Sequence, residues 1–413
     1  MLTFLDLFAG ASGLSEGFIN SGFIPVAHVE KDLYACQTIT TRTAFHYCNQ
    51  NNLSDLYKKY YYNEISRDIL YREIPKVEIN KVINEEINYE NYENIVKKIQ
   101  KLKNKLDVKN IDVLIGGPPC QAYSIRGRKA NESKKNYDER IYYYRLYAKF
   151  LNKLKPKIFI FENVPGLVSF ENGFIFDDLK KTLASEGYII DFKILNAVNF
   201  GVLQDRKRII IIGWKKDLQM DYPIFESSVD YSKVNDLFND LIFINPGATE
   251  LLVPYREIAN NYLTRINIRN GFNKVQQHIS RPHNIRDLEI YKRVIDLWNS
   301  KKERLKYNSL PKKLKTHKNV ESFLDRFKVI DGEANFSHTL IAHIAKDGHY
   351  YIHPDINQCR SISVREAARI QSFPDNFIFE GPRTAAFTQI GNAVPPLMSY
   401  KIANKLKEKL NEI

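Results

Sequence analysis

Residues 111–124 read IDVLIGGPPCQAYS and decide the fold, because a short apolar run ends abruptly in a turn that carries one cysteine. The β-branched run predicts a buried strand, and the two glycines let that strand stop at once. Two prolines then fix the backbone directly before Cys120. A cysteine at the carboxyl end of a parallel strand lies where open α/β sheets place their chemistry. The alternative is a small buried thiol in a turn, and the rest of the chain must decide between them.

Short apolar runs alternate with amphipathic stretches from residue 3 to about residue 214. The predicted strands cover 3–6, 24–29, 112–115, 158–162, 188–195 and 208–213. This alternation is typical of an α/β fold with a doubly wound, mostly parallel sheet. Residues 71–106 are highly charged and contain apolar residues at helical spacing, so we interpret them as a helical insertion.

The chain has 413 residues, which is more than one compact core normally holds. The pattern changes near Pro223, and we predict one domain of 1–220 and 376–413 and a second of 221–375, with a core of about 225–345. The formal net charge is +13, and residues 251–330 hold 18 Lys and Arg against 7 Asp and Glu. A basic excess concentrated in the second domain indicates a polyanionic partner.

The four cysteines form no CxxC pair, and no histidine cluster has the spacing of metal ligands. We therefore expect no metal, no disulfide framework and a reducing, cytoplasmic location. The N-terminus lacks a basic segment, and no apolar run approaches the length of a membrane span. Neither a signal peptide nor a membrane partner is expected.

A glycine-rich turn follows the first predicted strand, in the segment DLFAGASG of residues 6–13. Such a turn lets backbone amides approach a ligand at the start of a helix. Gly10 and Gly13 stand three residues apart, so the turn does not match the dinucleotide pattern of a nicotinamide-dependent dehydrogenase. Glu30 ends the second predicted strand, where a carboxylate can accept both hydroxyls of a ribose, although a surface acid is an equally good interpretation. Together they predict a nucleoside ligand without a pyrophosphate.

Two further segments place ionisable groups at strand ends. Glu162 ends the strand before Asn163, and we expect it at the same sheet edge as Cys120. A thiol and a carboxyl group side by side suit nucleophilic attack and proton donation. Arg206 and Arg208 precede the last strand and could orient a substrate, or could belong to a solvated run of charges.

Six segments, taken in their order along the chain, resemble the sequence motifs of one family. They are DLFAGASG (6–13), GGPPCQAYS (116–124), FENVPGL (161–167), QDRKRIIIIG (204–213), VREAARIQSFPD (364–375) and QIGNAVPP (389–396). The chain resembles the DNA (cytosine-5)-methyltransferases of bacterial restriction–modification systems over its length, except for about 71–106 and 225–335. The resemblance implies an S-adenosyl-L-methionine-dependent catalytic domain and a smaller, irregular target-recognition domain.

The resemblance also implies roles for individual residues. Cys120 is the implied nucleophile, and Glu162 is the residue that binds and protonates cytosine, with Arg206 and Arg208 beside the pocket. The implied cofactor-binding residues are Phe8, Ala9, Gly10, Gly13, Glu30, Asp68, Ile69, Pro118, Asn392 and Val394. The expected DNA-binding residues are Gln121, Ser124 and Arg126 on the loop after Cys120, with Arg265, Arg269 and Arg281 in the second domain.

What the resemblance implies about activity is methylation of C5 of cytosine in double-stranded DNA, on a base flipped out of the helix. A monomer and a functional pairing with a restriction endonuclease are expected, and an orphan role fits the sequence equally well. The DNA recognition sequence cannot be read from the chain. Three departures affect the cofactor site: Lys31 stands where the family often has an aromatic residue or Ile, Tyr143 where it has Leu, and Arg67 where it has Gly.

Two rival functions share the same core motifs. A tRNA cytosine-5 methyltransferase has a short target segment with a Cys-Phe-Thr signature, which this sequence lacks. A catalytically silent DNA-binding relative requires the loss of the nucleophile or the acid, and both Cys120 and Glu162 are present. The large basic second domain favours duplex DNA as the substrate.

Overall fold

The computed structural model describes residues 1–119, 139–317 and 319–412. Cys120, Gln121, Ser124 and Arg126 lie outside the described residues. The chain divides into two compact units. Unit 1 comprises Met1–Phe200, Arg206–Ser228 and Ala393–Ile413, and unit 2 comprises Gly201–Asp205 and Val229–Asn392. The chain thus returns to unit 1 at Ala393, whereas the sequence analysis placed this return at 376; the division into catalytic and target-recognition domains stays a prediction.

Unit 1 contains a seven-stranded sheet with the order β3-β2-β1-β4-β5-β7-β6. Its strands are β1 (Thr3–Leu7), β2 (Ile24–Glu30), β3 (Val82–Asn84), β4 (Val113–Gly116), β5 (Ile158–Asn163), β6 (Tyr188–Asn196) and β7 (Lys207–Lys215). Strands β1 to β5 are parallel to one another, and β7 runs antiparallel to both β5 and β6. The expected doubly wound, mostly parallel α/β sheet is therefore confirmed, and all six strands expected from the sequence are present.

The helices of unit 1 cover the sheet with their apolar faces. They are α1 (Gly13–Asn20), α2 (Leu33–Gln50), α3 (Ser54–Tyr61), α4 (Arg67–Glu73), α5 (Lys76–Ile79), α6 (Tyr92–Lys105), α7 (Tyr143–Leu154), α8 (Phe174–Ser185) and, at the carboxyl end, α13 (Pro396–Asn411). Helix α6 buries Ile95, Ile99 and Leu102, and α7 buries Tyr144, Tyr147 and Leu151, as their helical spacing predicts. Pro396 opens α13 at a position where its missing N–H costs no hydrogen bond.

The charged stretch 71–106 is part of the sheet architecture, and its interpretation as a helical insertion is wrong. It supplies β3, which pairs in parallel with β2 from His28↔Val82 to Glu30↔Asn84, and then the crossover helix α6. Strand β3 has only three residues, so its apolar signal is too short to stand out among the surrounding charges.

Unit 2 has little regular structure within its described residues. It contains a two-stranded antiparallel sheet, β8 (Leu252–Pro254) and β9 (Lys274–Gln276), with helices α9 (Asn261–Arg265), α10 (Ile285–Lys301), α11 (Val364–Ile370) and α12 (Arg383–Asn392). Helix α11 is buried along its whole length and begins with a capping box between Ser363 and Glu366.

Buried ion pairs hold the irregular segments of unit 2 around α11. Arg360 binds both carboxylate oxygens of Glu366 at 2.7 Å. Arg369 reaches Asp375 at 2.6 Å and also contacts Asp240, with all three side chains buried. Bidentate pairs of this kind fix geometry as well as charge, so they specify one arrangement of loops that lack a sheet ladder.

No helix in the described parts of the chain is both long and apolar enough to span a membrane.

Four largely buried histidines make unit 2 sensitive to acid. Burial lowers the pKa of two of them to about 4 and of two others to about 3, from an ordinary 6.5; they are His278 and His283, and His338 and His353, respectively. Between pH 6.5 and about 4 the unfolded chain binds more protons than the folded unit, so stability falls as the pH falls through this window. One pKa unit corresponds to about 1.4 kcal/mol, which is a substantial fraction of a net stability of about 5–15 kcal/mol.

We expect unit 2 to lose structure on acidification before unit 1 does. The chain has two tryptophans, Trp214 in unit 1 and Trp298 in unit 2, so each unit carries its own fluorescent reporter. In the Trp214→Phe variant, the emission of Trp298 should change between pH 6.5 and 4. In the Trp298→Phe variant, the change should come at lower pH; simultaneous transitions in both variants would contradict the expectation.

Candidate active site

The turn after β1 has an unusual backbone, because three alternating residues adopt positive φ. The φ angles are 58° at Phe8, 54° at Gly10 and 67° at Ser12. Non-glycine residues rarely adopt this conformation, and such residues cluster at ligand sites. The Ala9 N–H donates to the Val29 carbonyl at 3.1 Å, which ties the turn to the end of β2. A side chain at Gly10 would meet no atom of the described residues within 4 Å, so the turn opens on free space.

Glu30 is held rigidly beside this turn. Its Oε2 accepts a hydrogen bond from the Gly10 N–H at 2.8 Å, and its Oε1 accepts from the N–H groups of Lys31 and Asp32 at 2.9 and 2.8 Å. Burial raises the pKa of Glu30, and these three donors oppose that rise. A carboxylate oxygen accepts about two hydrogen bonds, so Oε2 keeps an acceptor position for a ligand hydroxyl.

The end of β3 completes this edge of the sheet. Asn84 donates from Nδ2 to the carbonyls of Glu30 and Lys31, at 3.2 and 3.0 Å. Beyond it, Glu86 forms an ion pair with Lys31 at 2.8 Å, with both side chains about half exposed. A second carboxylate therefore lies at the end of β3, next to the strand that ends in Glu30.

Asp68 and Ile69 do not directly follow a strand of the sheet. Both are on α4, ahead of β3 in the chain, and both are exposed. In an open α/β sheet the ligand site lies beyond the carboxyl ends of the strands. Glu86 and the buried Ile87 follow β3, where this part of a nucleoside site is expected, and the assignment of Asp68 and Ile69 to the cofactor stays a prediction. The sequence signal for Glu86 and Ile87 is the short run 82–84, which precedes them and lies within the stretch interpreted as an insertion.

Val394 lies just before the carboxyl-terminal helix α13, in the last segment of unit 1. Helix α13 packs against α1 at Gly17, where a Cβ atom would lie 2.3 Å from the Tyr400 nitrogen, so only glycine allows this approach. The Ser399 hydroxyl also donates to the Leu14 carbonyl. Val394 is buried in unit 1, whereas Asn392 is exposed at the end of α12 in unit 2.

A second group of polar residues lies at the ends of β4 and β5. Gly116 of β4 pairs in parallel with Phe161 of β5, so Gly117 and Glu162 follow at the same edge. Strand β7 runs antiparallel to β5, and its beginning therefore reaches this edge too. As a result Arg208 Nε lies 2.8 Å from Glu162 Oε1, with both side chains about nine-tenths buried.

The environment of Glu162 favours its protonated form. Burial raises the pKa of this carboxyl group, while the charges of Arg208 and Arg206 act in the opposite direction. Arg206 is fully buried, and its backbone N–H donates to Asn196 Oδ1 at 3.1 Å. A raised pKa makes a carboxyl group a better proton holder than an ordinary glutamate, which suits it to proton transfer.

The turn that leads to residue 120 is fitted closely against the end of β5. A Cβ atom at Gly117 would lie 2.6 Å from Glu162 Oε2, so the missing side chain makes room for the carboxyl group. The Asn163 Nδ2 donates to the Pro118 carbonyl at 3.1 Å. Asn163 lies within the segment FENVPGL, but no pattern in the sequence indicates a role for its side chain.

The three arginines expected to bind DNA in unit 2 have partners inside the protein. Arg265 pairs with Asp230. Arg269 pairs with Asp240 at 3.0 Å, and its guanidinium lies 3.5 Å from the centre of the Tyr255 ring. Arg281 donates to three backbone carbonyls of residues 344–346. Their assignment to DNA stays a prediction.

The fold and this edge define a class of enzyme. A doubly wound sheet with one antiparallel strand places a turn with three positive φ angles and the Glu30 carboxylate at the ends of β1 and β2, and a buried carboxyl group with a raised pKa at the end of β5. Such an arrangement suits transfer of a group from a nucleoside cofactor to an acceptor that must be protonated.

Comparison with known proteins gives the family. The family model for C-5 cytosine-specific DNA methylases matches residues 2–75 and 71–408. The Type II methyltransferase M.Bpa9945I of Bacillus paralicheniformis is 39% identical, over 98% of this chain and 99% of the relative. The Type II methyltransferase M.DdeI of Desulfomicrobium norvegicum is 28% identical, over 98% of this chain and 88% of the relative.

Solved structures support the fold. A putative DNA modification methyltransferase encoded within an E. coli prophage matches with a TM-score of 0.65 at 24% identity, over the full length of both chains. The DNMT2 protein of Spodoptera frugiperda matches with a TM-score of 0.52 at 14% identity, again over both full chains. The chain belongs to the C-5 cytosine-specific DNA methylase family and is a DNA (cytosine-5) methyltransferase.

Proposed function

We propose that this enzyme methylates C5 of cytosine within a specific sequence of double-stranded DNA, using S-adenosyl-L-methionine and a covalent bond between Cys120 and C6 of a flipped-out base. The observation that carries the proposal is the buried Glu162, whose pKa burial raises and which packs against the turn that leads into residue 120. A nucleophile and an acid on neighbouring strand ends are what addition to a pyrimidine ring requires.

The residues around Glu30 fit S-adenosyl-L-methionine. The open space before Gly10, the free acceptor position of Glu30 and the Glu86 carboxylate suit a nucleoside with ribose hydroxyls and an exocyclic amino group. Phe8, Ala9, Gly13, Pro118 and Val394 of unit 1 are proposed to complete the site, and the role of Asn392 stays a prediction from the resemblance. When bound, the cofactor supplies an electrophilic methyl group on a sulfonium centre.

The protein's own residues would activate the cytosine. The Cys120 thiolate adds to C6 while Glu162 gives its proton to N3, so the ring takes up no net negative charge and C5 becomes nucleophilic. Arg208 keeps the Glu162 side chain in place through the 2.8 Å contact of its Nε with Oε1, which leaves Oε2 to carry the proton. Once C5 carries the methyl group, a base removes the C5 proton, the C6–S bond breaks and the N3 proton returns to Glu162.

A cytosine inside a duplex cannot reach these groups, so the base must be flipped out at a cost of a few kcal/mol. We assign recognition of the duplex to unit 2, whose described residues include most of the basic stretch 251–330. Gln121, Ser124 and Arg126 are proposed to contact DNA from the segment after Cys120.

Salt dependence of DNA binding tests the role of unit 2. A protein that neutralises about six phosphates loses on the order of 10³-fold in affinity between about 50 and 200 mM salt. We expect Lys312→Gln, in the exposed part of the basic stretch, to reduce the slope of log affinity against log salt by about one. Lys101→Gln, on an exposed face of α6 in unit 1, should leave the slope unchanged. Equal slopes for all three proteins would remove the phosphate role from this stretch.

Bisulfite sequencing of plasmid DNA treated with the enzyme and S-adenosyl-L-methionine tests the reaction and reads the target sequence together. Conversion-resistant cytosines within one short sequence are expected, and tRNA treated in parallel should remain unmodified. Methylated tRNA with unmodified plasmid would overturn the proposal. We further propose that the enzyme acts as a monomer and protects DNA from a restriction endonuclease of the same specificity, which restriction of unmethylated but not methylated plasmid would test.

A further inference from the structure

Asn163, the last residue of β5, is fully engaged by two hydrogen bonds. Its Nδ2 donates to the Pro118 carbonyl at 3.1 Å, and its Oδ1 accepts from the Val164 N–H at 2.9 Å. The side chain is 2% exposed, so water cannot replace either partner. A buried amide with both ends satisfied has one defined orientation.

The Pro118 carbonyl lies just beyond the pairing of β4 with β5, which ends at Gly116↔Phe161. Pro118 and Pro119 carry no backbone N–H, so the turn cannot extend the ladder by donating to β5. The Asn163 side chain therefore supplies, across the two strands, the link that this part of the backbone cannot make.

The same turn is constrained from its other side by Glu162. The space left by the missing side chain of Gly117 is occupied by Glu162 Oε2. Two successive residues of β5 thus hold two successive residues of the turn. Glu162 packs closely against Gly117, and Asn163 donates a hydrogen bond to Pro118. The spacing between Glu162 and the backbone entering residue 120 depends on both contacts.

We propose that Asn163 is a positioning residue for methyl transfer, whose amide fixes the Pro118 carbonyl and thereby the approach of residue 120 relative to Glu162. This inference rests on the proposed role of Cys120. A displacement of about 1 Å between reacting groups can cost on the order of 10²-fold in rate. The bond should therefore act on kcat and leave binding of DNA and cofactor unchanged.

Asn163→Asp is the sharpest test because it preserves size and the acceptor for Val164. The ionised carboxylate of this variant would be an acceptor facing another acceptor, the Pro118 carbonyl, whereas its protonated form would donate as the amide does. We expect kcat to fall about 10- to 100-fold at pH 8, with the KM for DNA and the Kd for S-adenosylhomocysteine within about twofold of wild type. The ratio of variant to wild-type kcat should rise as the pH is lowered towards 6.

Asn163→Ala removes both hydrogen bonds without adding a charge. It should lower kcat by a similar factor, but its ratio to wild type should not change with pH. Asn51→Asp provides a control in unit 1 away from the strand ends, because Asn51 Nδ2 likewise donates to a backbone carbonyl, that of Tyr47, at 2.8 Å. This control should keep the wild-type kcat at every pH.

The outcomes separate the inference from its alternatives. A folded Asn163→Asp enzyme with kcat within about threefold of wild type at pH 8 would overturn it. So would a parallel loss of kcat, cofactor binding and urea midpoint, which indicates a role in stability alone. Methylation by Cys120→Ala would instead refute the proposed function; an inactive Cys120→Ala with a fully active Asn163→Asp would refute only the role of Asn163.

Discussion

Substitution of Cys120 by Ala is expected to abolish methylation of DNA while binding of DNA persists. C5 of cytosine is a weak nucleophile until a thiolate has added at C6, so the loss of this thiol removes the step that activates the ring. No other cysteine is suited to replace it. Burial raises the pKa of Cys36 to about 12 and of Cys48 to about 11, and it also raises the pKa of Cys359.

Transfer of tritiated methyl groups to a plasmid measures this loss, and a gel-shift titration measures DNA affinity. Cys48→Ala serves as the control, since Cys48 is buried in α2, and it should retain wild-type activity. DNA containing 5-fluorocytosine should form a complex with the wild-type enzyme that survives denaturation, because fluorine at C5 cannot leave as the proton does. Retention of more than a few per cent of activity by Cys120→Ala would refute the covalent mechanism.

Most strands of the sheet could be predicted from the sequence, because each is a short apolar run that can be recognised without knowledge of the fold. Runs such as 158–161 and 209–212 are continuous apolar segments, which is the pattern of strands buried on both faces. Strand β3 was not predicted, because its three residues lie among charged residues and only one of them is buried. The sequence therefore did not indicate Glu86 and Ile87, which follow β3, and the assignment of Asp68 to the cofactor stays a prediction.

The juxtaposition of Glu162 with Arg208 could not be derived from local pattern. It depends on β7 running antiparallel to β5, and strand direction is decided by long-range packing. The resemblance supplied both residues, and the structure supplies the reason that they meet. The partners of Arg269 and Arg281 could not be predicted from local pattern either, because Asp240 and the carbonyls of residues 344–346 lie far away in the sequence.

Replacement of Glu162 by Gln is expected to lower kcat about 100-fold or more and to remove one limb of the pH profile. Gln keeps the shape and can accept from Arg208, but it has no proton to give to N3. General acid catalysis by a positioned side chain is typically worth about 10²–10⁴ in rate. The raised pKa of Glu162 means that the wild-type enzyme loses its proton donor, and therefore rate, as the pH rises through that pKa.

The pH dependence of kcat distinguishes proton donation from mere shape. In Glu162→Gln the fall in rate at high pH should disappear, and the rate should only rise with pH as the Cys120 thiol ionises. Gly117→Ala provides the complementary control, because its Cβ would lie 2.6 Å from Glu162 Oε2 and would displace the carboxyl group without removing its proton. That variant should be slow yet keep the fall in rate at high pH. If Glu162→Gln retained this limb, another group would have to be the acid, and the raised pKa of Glu162 would reflect only its burial.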